Sequence, residues 1–216
     1  MTDTYTPTPR TRPVRRGQRA RYDRALVHRI LDEALIGSLA TIIDGEPVVQ
    51  PMIHARDGEE IILHGSSANR LLTAIGAGGR CCRSVSLIDG LILGRTVPDH
   101  SFRYRSVSIH GVAREITDAA NKRARMRVVF DHIIAKRWEH LPPVEDDYLE
   151  HVKVLILPLK EVVAKVNDSD PDAGGDVRIW SGVLPFSLQS GPLQPASGIQ
   201  PDPASELVTY ERPQSA

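Results

Sequence analysis

The chain has 216 residues, of which 41% are hydrophobic and 25% are charged, and its formal net charge at pH 7 is zero. A chain of this length forms one domain with tails, or two small domains at most. Its apolar runs fall short of the roughly 18 residues that a membrane-spanning helix needs, which excludes a helical membrane protein. The Arg-rich N-terminus lacks the apolar stretch of a secretory signal, so we expect a cytoplasmic protein.

Positive charge is concentrated at the N-terminus. Residues 1–24 hold seven arginines against Asp3 and Asp23, a net charge of +5, so the remainder carries −5. A basic segment can bind nucleic acid or an acidic partner. Residues 10–24 have one aromatic residue and no recognised binding motif. We therefore favour a solvated, disordered arm over residues 1–21 and expect no nucleic-acid partner.

The remaining chain divides by composition into a domain and a tail. Residues 22–186 are expected to form the globular domain, and residues 187–216, rich in Pro, Ser and Gly, a disordered tail. Cys81 and Cys82 are neighbours that point to opposite faces of a strand, which makes a disulfide between them strained. The histidines form no metal-binding spacing with these cysteines or with each other, so we expect no metal site.

Hydrophobic spacing predicts a mainly β fold. Asp-Gly turns separate the first three predicted strands, which favours an antiparallel meander. About seven strands follow one another and helices interrupt only at intervals, which favours an antiparallel barrel with peripheral helices over a doubly wound α/β sheet. Helices are predicted over residues 23–35, 66–77 and 118–134, and strands over residues 36–43, 47–55, 60–64, 81–88, 91–97, 105–114, 152–158 and 161–166.

The sequence LHGSSANRLL, residues 63–72, has the composition of an anion-binding segment. A glycine follows a strand, Ser66 and Ser67 precede a predicted helix, and Arg70 lies in its first turn. Backbone N–H groups, hydroxyls and a guanidinium suit a phosphate. Capping serines and a surface arginine also occur on helices that bind nothing, and this alternative stays open.

A second segment, HSFRYRSVSIHG at residues 100–111, carries further donors. Arg103 and Arg105 flank Tyr104 where a loop enters a strand. Arg105 and Ser106 can add donors to the same phosphate, and Tyr104 can stack or form a hydrogen bond. A charge cluster on an edge strand is the alternative interpretation.

Two further segments suit a flat aromatic ligand. In VVQPMIHA, residues 48–55, Pro51 removes one ladder donor and leaves main-chain groups free beside an apolar wall. An isoalloxazine ring binds to such a wall, although an ordinary strand with an edge proline gives the same pattern. Trp180 follows an acidic, Gly-containing linker, and it covers a flat ligand, packs on a partner subunit or caps the core.

The order of these blocks resembles the pyridoxamine 5'-phosphate oxidase-like superfamily, in its flavin-nucleotide-binding branch with the nitroimidazole reductases. The resemblance covers residues 22–186 and rests on DGEPVVQPMIHARDGEEIILHGSSANRLL, SLIDGLILGR, HSFRYRSVSIHGVAREITD and IWSGVLP. It implies an antiparallel six-stranded split β-barrel and a homodimer with FMN between the subunits. The FMN-binding residues that it implies are Val49, Gln50, Pro51, Met52, Ile53, His64, Ser66, Ser67, Asn69, Arg70, Arg103, Tyr104, Arg105, Ser106 and Trp180.

The resemblance also sets the expected activity. It implies an FMN-dependent oxidoreductase that moves hydride or electrons between a reduced nicotinamide or small organic substrate and an acceptor. No catalytic residue is assigned. A non-catalytic flavin-binding or sensing module, and a haem- or deazaflavin-binding relative on the same barrel, are the alternatives.

Two departures from the family pattern bear on this activity. Members tend to read HSMNYRSV where this chain has HSFRYRSV, so Arg103 replaces a small polar residue near the cofactor. This arginine either strengthens phosphate binding or crowds the pocket. The terminal substrate-binding pattern of true pyridoxamine phosphate oxidases is not evident, so vitamin B6 oxidation is not expected.

Overall fold

An antiparallel β-sheet of ten strands makes up most of the protein in a computed structural model that describes residues 3–172 and 174–198. Seven strands have seven residues or more, in agreement with the sequence pattern, and three short strands are additional. The strands are β1 (Ala20–Arg21), β2 (Ile36–Ile43), β3 (Glu46–Asp57), β4 (Glu60–Ser66), β5 (Arg80–Leu93), β6 (Ser101–Val112), β7 (Arg114–Ile116), β8 (Val152–Pro158), β9 (Glu161–Asn167) and β10 (Gly182–Pro185).

Four α-helices accompany the sheet in the described residues. The second helix begins later than predicted because Ser66 still belongs to β4. Asn69, not Ser66 or Ser67, is its N-cap, and its side chain accepts a hydrogen bond from the Leu72 N–H at 3.1 Å. The helices are α1 (Arg24–Glu33), α2 (Arg70–Gly76), α3 (Ala119–Ile133) and α4 (Asp146–Glu150).

The predicted meander is present as β2, β3 and β4. Asp44 and Gly45 join β2 to β3 with φ angles of 54° and 84°, the two positive values that a type I′ hairpin turn requires. The full strand order is β1-β9-β6-β5-β2-β3-β4-β8-β7, and β10 pairs with β5. Every pairing among these strands is antiparallel.

One predicted strand boundary is wrong. The Asp89-Gly90 pair does not end a strand, because β5 runs on through it with a bulge between Ile88 and Gly90. A side chain at position 90 would lie 2.7 Å from the Leu184 carbonyl oxygen of β10. Glycine at this position therefore permits close approach of the last strand rather than a turn.

The sheet is open but curls until β6 and β8 face each other. A Cβ atom at Gly111 of β6 would lie 2.8 Å from Cδ1 of Leu157 on β8. The concave side holds the main core, and the predicted mainly β, antiparallel split-barrel class is confirmed. Core residues from the strands include Leu39, Ile61, Leu63, Val85, Val107, Ile109, Leu155, Leu157, Val162 and Ala164.

The outer side of the sheet is covered only in part. Helix α3 packs Met126 and Val129 on Ala55, Ile62 and the start of β8, and this forms a second core. The outer face of β2 and the first half of β3 remain exposed in this chain.

The N-terminal segment differs from the expected disordered arm. Tyr5 and Thr11 are buried, Thr4 bridges to Asp23, and the Tyr22 hydroxyl donates to the Thr11 carbonyl oxygen at 2.8 Å. Burial of an aromatic ring and these backbone contacts offset the low hydrophobicity of the segment, which is all that composition registers.

The C-terminal part is more open. Residues 187–198 are exposed and contain neither helix nor strand, while residues 199–216 of the predicted tail lie outside the described residues. Among the described residues, each helix is too short or too polar to cross a bilayer.

Candidate functional site

The predicted ring-binding strand presents an apolar row on the outer face of the sheet. Val49, Pro51 and Ile53 point outward and are exposed, while Gln50 and Met52 point inward, as alternation along a strand requires. The strand thus supplies an apolar wall in the part of the sheet that α3 leaves uncovered.

His64 belongs to the same outer face. It follows Leu63, the register partner of His54, so alternation places its side chain outward beside Ile53. Its ring Nδ1 is buried and has no hydrogen-bond partner among the described residues. Desolvation lowers the pKa of His64, so the imidazole is neutral at pH 7 and Nδ1 is available to a ligand.

The centre of this outer face is flat. Ser38 and Ala40 of β2 lie opposite Pro51 and Val49 of β3, and Ser84 lies beside Ser38 on β5. Small side chains on three adjacent strands allow a planar molecule or a second sheet to approach the backbone closely.

The predicted phosphate segment meets the predicted ring strand at one point. The Asn69 side chain donates from Nδ2 to Oε1 of Gln50 at 3.1 Å. Two segments that are nineteen residues apart in sequence are therefore held together.

Within the phosphate segment some donors are already used. The Ser66 hydroxyl oxygen accepts from the Ala68 N–H at 3.2 Å, and the Ser67 N–H donates to the His151 carbonyl oxygen at 2.9 Å. The Ser67 hydroxyl is exposed and makes no side-chain hydrogen bond within the described part of the chain. It remains a donor for an anion.

Arg70 supplies the charge of this segment. Its side chain is 68% exposed and pairs with Asp44 at 2.7 Å, whose side chain is 82% exposed. Exposed pairs of this kind contribute little free energy. An incoming phosphate can therefore replace Asp44 at small cost.

The Arg103–Ser106 segment is bound to other groups. Arg105 donates to both oxygens of Glu33 and both oxygens of Asp89, and the hydrogen bonds to Asp89 and then Glu33 raise its pKa. Arg103 donates to Asp170 at 2.6 Å. The Ser106 hydroxyl donates to a β9 carbonyl oxygen at 3.2 Å.

The two predicted phosphate-binding segments do not meet within one chain. Strands β5, β2 and β3 lie between β4 and β6, a separation of roughly 19 Å along the sheet at about 4.8 Å per strand. Tyr104 lies opposite Ile88 and Ser106 opposite Ser86, on the outer face, while Arg105 is on the inner side with Val107.

Trp180 lies apart from all of these residues. Its ring is 68% exposed and stacks on the backbone of Gly182, where a Cβ would lie 2.6 Å from the indole. Ile179, Leu184 and Phe186 beside it are also exposed. This apolar C-terminal segment has a large surface without a partner in the described residues.

A buried cluster behind the ring strand was not found from the sequence. Arg83 is fully buried and donates to the Gly37 carbonyl oxygen at 2.9 Å, the Met52 carbonyl oxygen at 2.7 Å and Nδ1 of His54 at 2.7 Å. Desolvation lowers the pKa of Arg83 to about 10. The signal was its inward position in the alternating strand CCRSVSL, between Cys81 and Val85.

His54 completes this cluster as a neutral imidazole. Its Nδ1 accepts from Arg83, so Nε2 carries the proton and donates to the Leu31 carbonyl oxygen at 3.1 Å. Desolvation, then the Arg83 charge, lower its pKa to about 3. The cluster fixes β2 and β3 to each other directly behind the apolar row.

Neither thiol nor metal chemistry stands out in the described residues. Burial raises the pKa of the Cys81 thiol to about 11, which makes it a poor nucleophile, and both cysteines are free. No group of three or more His, Cys, Asp or Glu side chains there is arranged to hold a metal ion.

Comparison with known families decides the assignment. Residues 23–166 match the sequence model of the family described as pyridoxamine 5'-phosphate oxidase. The chain belongs to this family. The predicted superfamily is thus confirmed, and pyridoxamine 5'-phosphate oxidase names a family here rather than a reaction.

Solved structures of this oxidase family extend the comparison. The flavocytochrome Anf3 from Azotobacter vinelandii is 32% identical, with a TM-score of 0.87 over 96% of this chain and 99% of that chain. The FAD and haem binding protein from Mycobacterium smegmatis is 27% identical, with a TM-score of 0.81 over 88% of this chain and 96% of that chain.

A third structure supports the fold alone. It is a protein from Bacteroides thetaiotaomicron, provisionally named a 5-nitroimidazole antibiotic resistance protein, at 21% identity and a TM-score of 0.58 over 68% of this chain and 86% of that chain. A search of curated proteins finds no match.

Proposed function

We propose that the chain is a cytoplasmic flavin-binding oxidoreductase that works as a homodimer. The observation that carries the proposal is the hydrogen bond from Asn69 to Gln50, which holds the apolar row Val49–Ile53 and the exposed donors Ser67 and Arg70 in one place. An apolar wall beside an anion-binding group is what a flavin phosphate ester needs.

The bound part is the one that FMN and FAD share. The sequence favours FMN, whereas one of the two similar structures is named as an FAD binding protein and the other as a flavocytochrome. Ser67 and Arg70 bind the phosphate next to the ribityl chain, and the ring lies along Val49–Ile53. This assignment is independent of whether an adenylate follows.

A bound flavin supplies two-electron chemistry, in which hydride from a reduced nicotinamide or small organic substrate is passed to an acceptor. The residues of this chain bind and orient it. Arg83 fixes the Gly37 and Met52 carbonyl groups behind the ring strand, so the wall keeps its shape.

A second copy of the chain completes the site in this proposal. The outer face with Ile36, Val49 and Ile53 and the segment around Trp180 are both apolar and exposed, and burial of such surface drives association. Tyr104 and Ser106 lie on the same outer face. They can reach the flavin only across such an interface, because Ser106 lies roughly 19 Å from β4 along one sheet.

Haem binding is a second candidate function. Both similar structures have haem proteins in their names, and His64 offers what an axial ligand needs, a neutral imidazole whose buried Nδ1 has no partner in the described residues. His54 does not, because both of its ring nitrogens are engaged. Loading with haem should give a Soret band that His64→Ala shifts and His100→Ala does not.

Anaerobic reduction tests the catalytic part of the proposal. Protein loaded with FMN or FAD is mixed with NADH or NADPH, and flavin bleaching is followed by absorbance. Bleaching that is faster than with free flavin supports an oxidoreductase. Bound flavin that neither nucleotide nor a small organic donor reduces would favour the non-catalytic flavin-binding or sensing module.

A further inference from the structure

A cavity of about 360 Å³ lies outside the barrel, on the side away from the core. It is enclosed by α3, the short 3-10 turn Arg137–His140, the loop that follows and α4. Nothing in the proposed flavin site uses it. Its lining consists of Met126, Phe130, Trp138, Leu141, Pro142, Pro143, Val144, Glu145 and Tyr148.

Aromatic rings form most of the wall. Phe130 and Trp138 meet edge to face, with ring centroids 5.2 Å apart and planes at 70°. This geometry leaves a ring face of the pair toward the cavity. Tyr148 stands on α4 with half of its side chain exposed. Two successive prolines stiffen the connecting loop, so the wall is formed before a ligand arrives.

The charge at the cavity is negative and uncompensated. Glu145 lines it, and its carboxylate forms no ion pair in the part of the chain that the structure describes. Asp147 follows two residues later, also without an ion pair there. Arg123, the nearest cation, is held by Asp146 at 2.6 Å and by the Val144 carbonyl oxygen at 2.9 Å.

We propose that this cavity binds an amphipathic organic cation, an amine or quaternary ammonium that carries a flat apolar group. Aromatic ring faces attract such a cation through their quadrupole, and an unpaired carboxylate at the rim adds Coulomb attraction. The apolar lining takes up the remainder of the ligand. The same carboxylate disfavours phosphates and carboxylic acids.

Calorimetry on the full chain ranks three probes that differ mainly in charge, namely 2-phenylethylammonium, 2-phenylethanol and 3-phenylpropionate. The expected order of affinity is cation, alcohol, acid, with about tenfold between the first two. Equal affinities, or heat for none of them at millimolar concentration, would overturn the proposal.

Variants locate the binding. Glu145→Gln should weaken the cation about fivefold and leave the alcohol unchanged, whereas Glu46→Gln on the β2–β3 hairpin changes neither. The chain has two tryptophans, so in Trp180→Phe the fluorescence reports on Trp138 alone and should change with the cation. A cation that binds without this change, or without loss in Glu145→Gln, binds elsewhere. Flavin binding is read separately, so failure of either proposal leaves the other intact.

Discussion

Asn69 on the N-terminal side of α2 and Gln50 in the middle of β3 are joined by a hydrogen bond of 3.1 Å. The same Asn69 side chain caps α2 through its Oδ1, which accepts from the Leu72 N–H at 3.1 Å. One residue therefore both begins the helix that carries Arg70 and fixes its position relative to the apolar outer row. The geometry of the proposed flavin site depends on this double role.

Substitution of Asn69 separates the two roles. Asn69→Ser keeps an acceptor for the cap but loses the donor to Gln50, whereas Asn69→Ala loses both. We expect Asn69→Ala to unfold about 1 kcal/mol more easily than Asn69→Ser, measured by urea denaturation. Both variants should bind flavin more weakly than the parent chain. Parent-like flavin affinity in Asn69→Ser would show that the hydrogen bond does not position the site.

Arg70→Ala should weaken flavin binding by about 1.5–3 kcal/mol, because a charge-assisted hydrogen bond to the phosphate is lost. Fluorescence titration with FMN measures this change. Arg80→Ala is the matched control, since Arg80 is an exposed arginine whose partner Glu161 is away from the site. If the two variants bind FMN equally well, the phosphate lies elsewhere.

Arg105 and Arg103 should differ in their effect on folding. Arg105 is mostly buried between Glu33 and Asp89, so Arg105→Met should lower the free energy of unfolding by about 2–3 kcal/mol. Arg103 pairs with Asp170, whose side chain is 88% exposed, and Arg103→Met should cost less than about 1 kcal/mol. Thermal and urea denaturation compare them; a small effect at Arg105 would leave it free for a ligand.

His54 should make stability depend on pH. Its folded pKa of about 3 lies below the usual 6.5, so the stability gained by keeping it neutral is complete above pH 6.5 and is lost as pH falls toward 3. The slope reaches at most about 1.4 kcal/mol per pH unit. His54→Gln should have a flatter profile between pH 6 and 4 than the parent, whereas His100→Gln, at an exposed position, should not. Parallel profiles for all three proteins would contradict the assignment.

Local turn and strand signals predicted much of the fold. The Asp44-Gly45 hairpin and the alternation in β3 were readable because Asp-Gly tolerates positive φ and because one face of the strand is buried. Asp89-Gly90 looks the same in sequence, yet its glycine serves a bulge beside β10. Which of the two occurs depends on a strand that is more than ninety residues away.

Long-range contacts account for the other differences. Tyr5 is buried because its hydroxyl donates to Glu59 at 2.9 Å and hydrogen-bonds His28 at 3.0 Å, pairings that local composition does not reveal. Arg83 is placed inside the barrel because its donors meet two carbonyl oxygens and His54. The segments 48–55 and 63–72 do come together as the phosphate and ring hypothesis requires, whereas Arg105 has been bound by carboxylates of its own chain.

Flavin titration of the purified protein tests the central claim most directly. FMN and FAD are added separately, and quenching of flavin fluorescence together with Trp fluorescence gives affinity and stoichiometry, with Arg70→Ala in parallel. The account predicts saturable binding of one flavin per chain, for at least one of the two, that Arg70→Ala weakens. A chain that carries no flavin when purified and binds neither compound would contradict it.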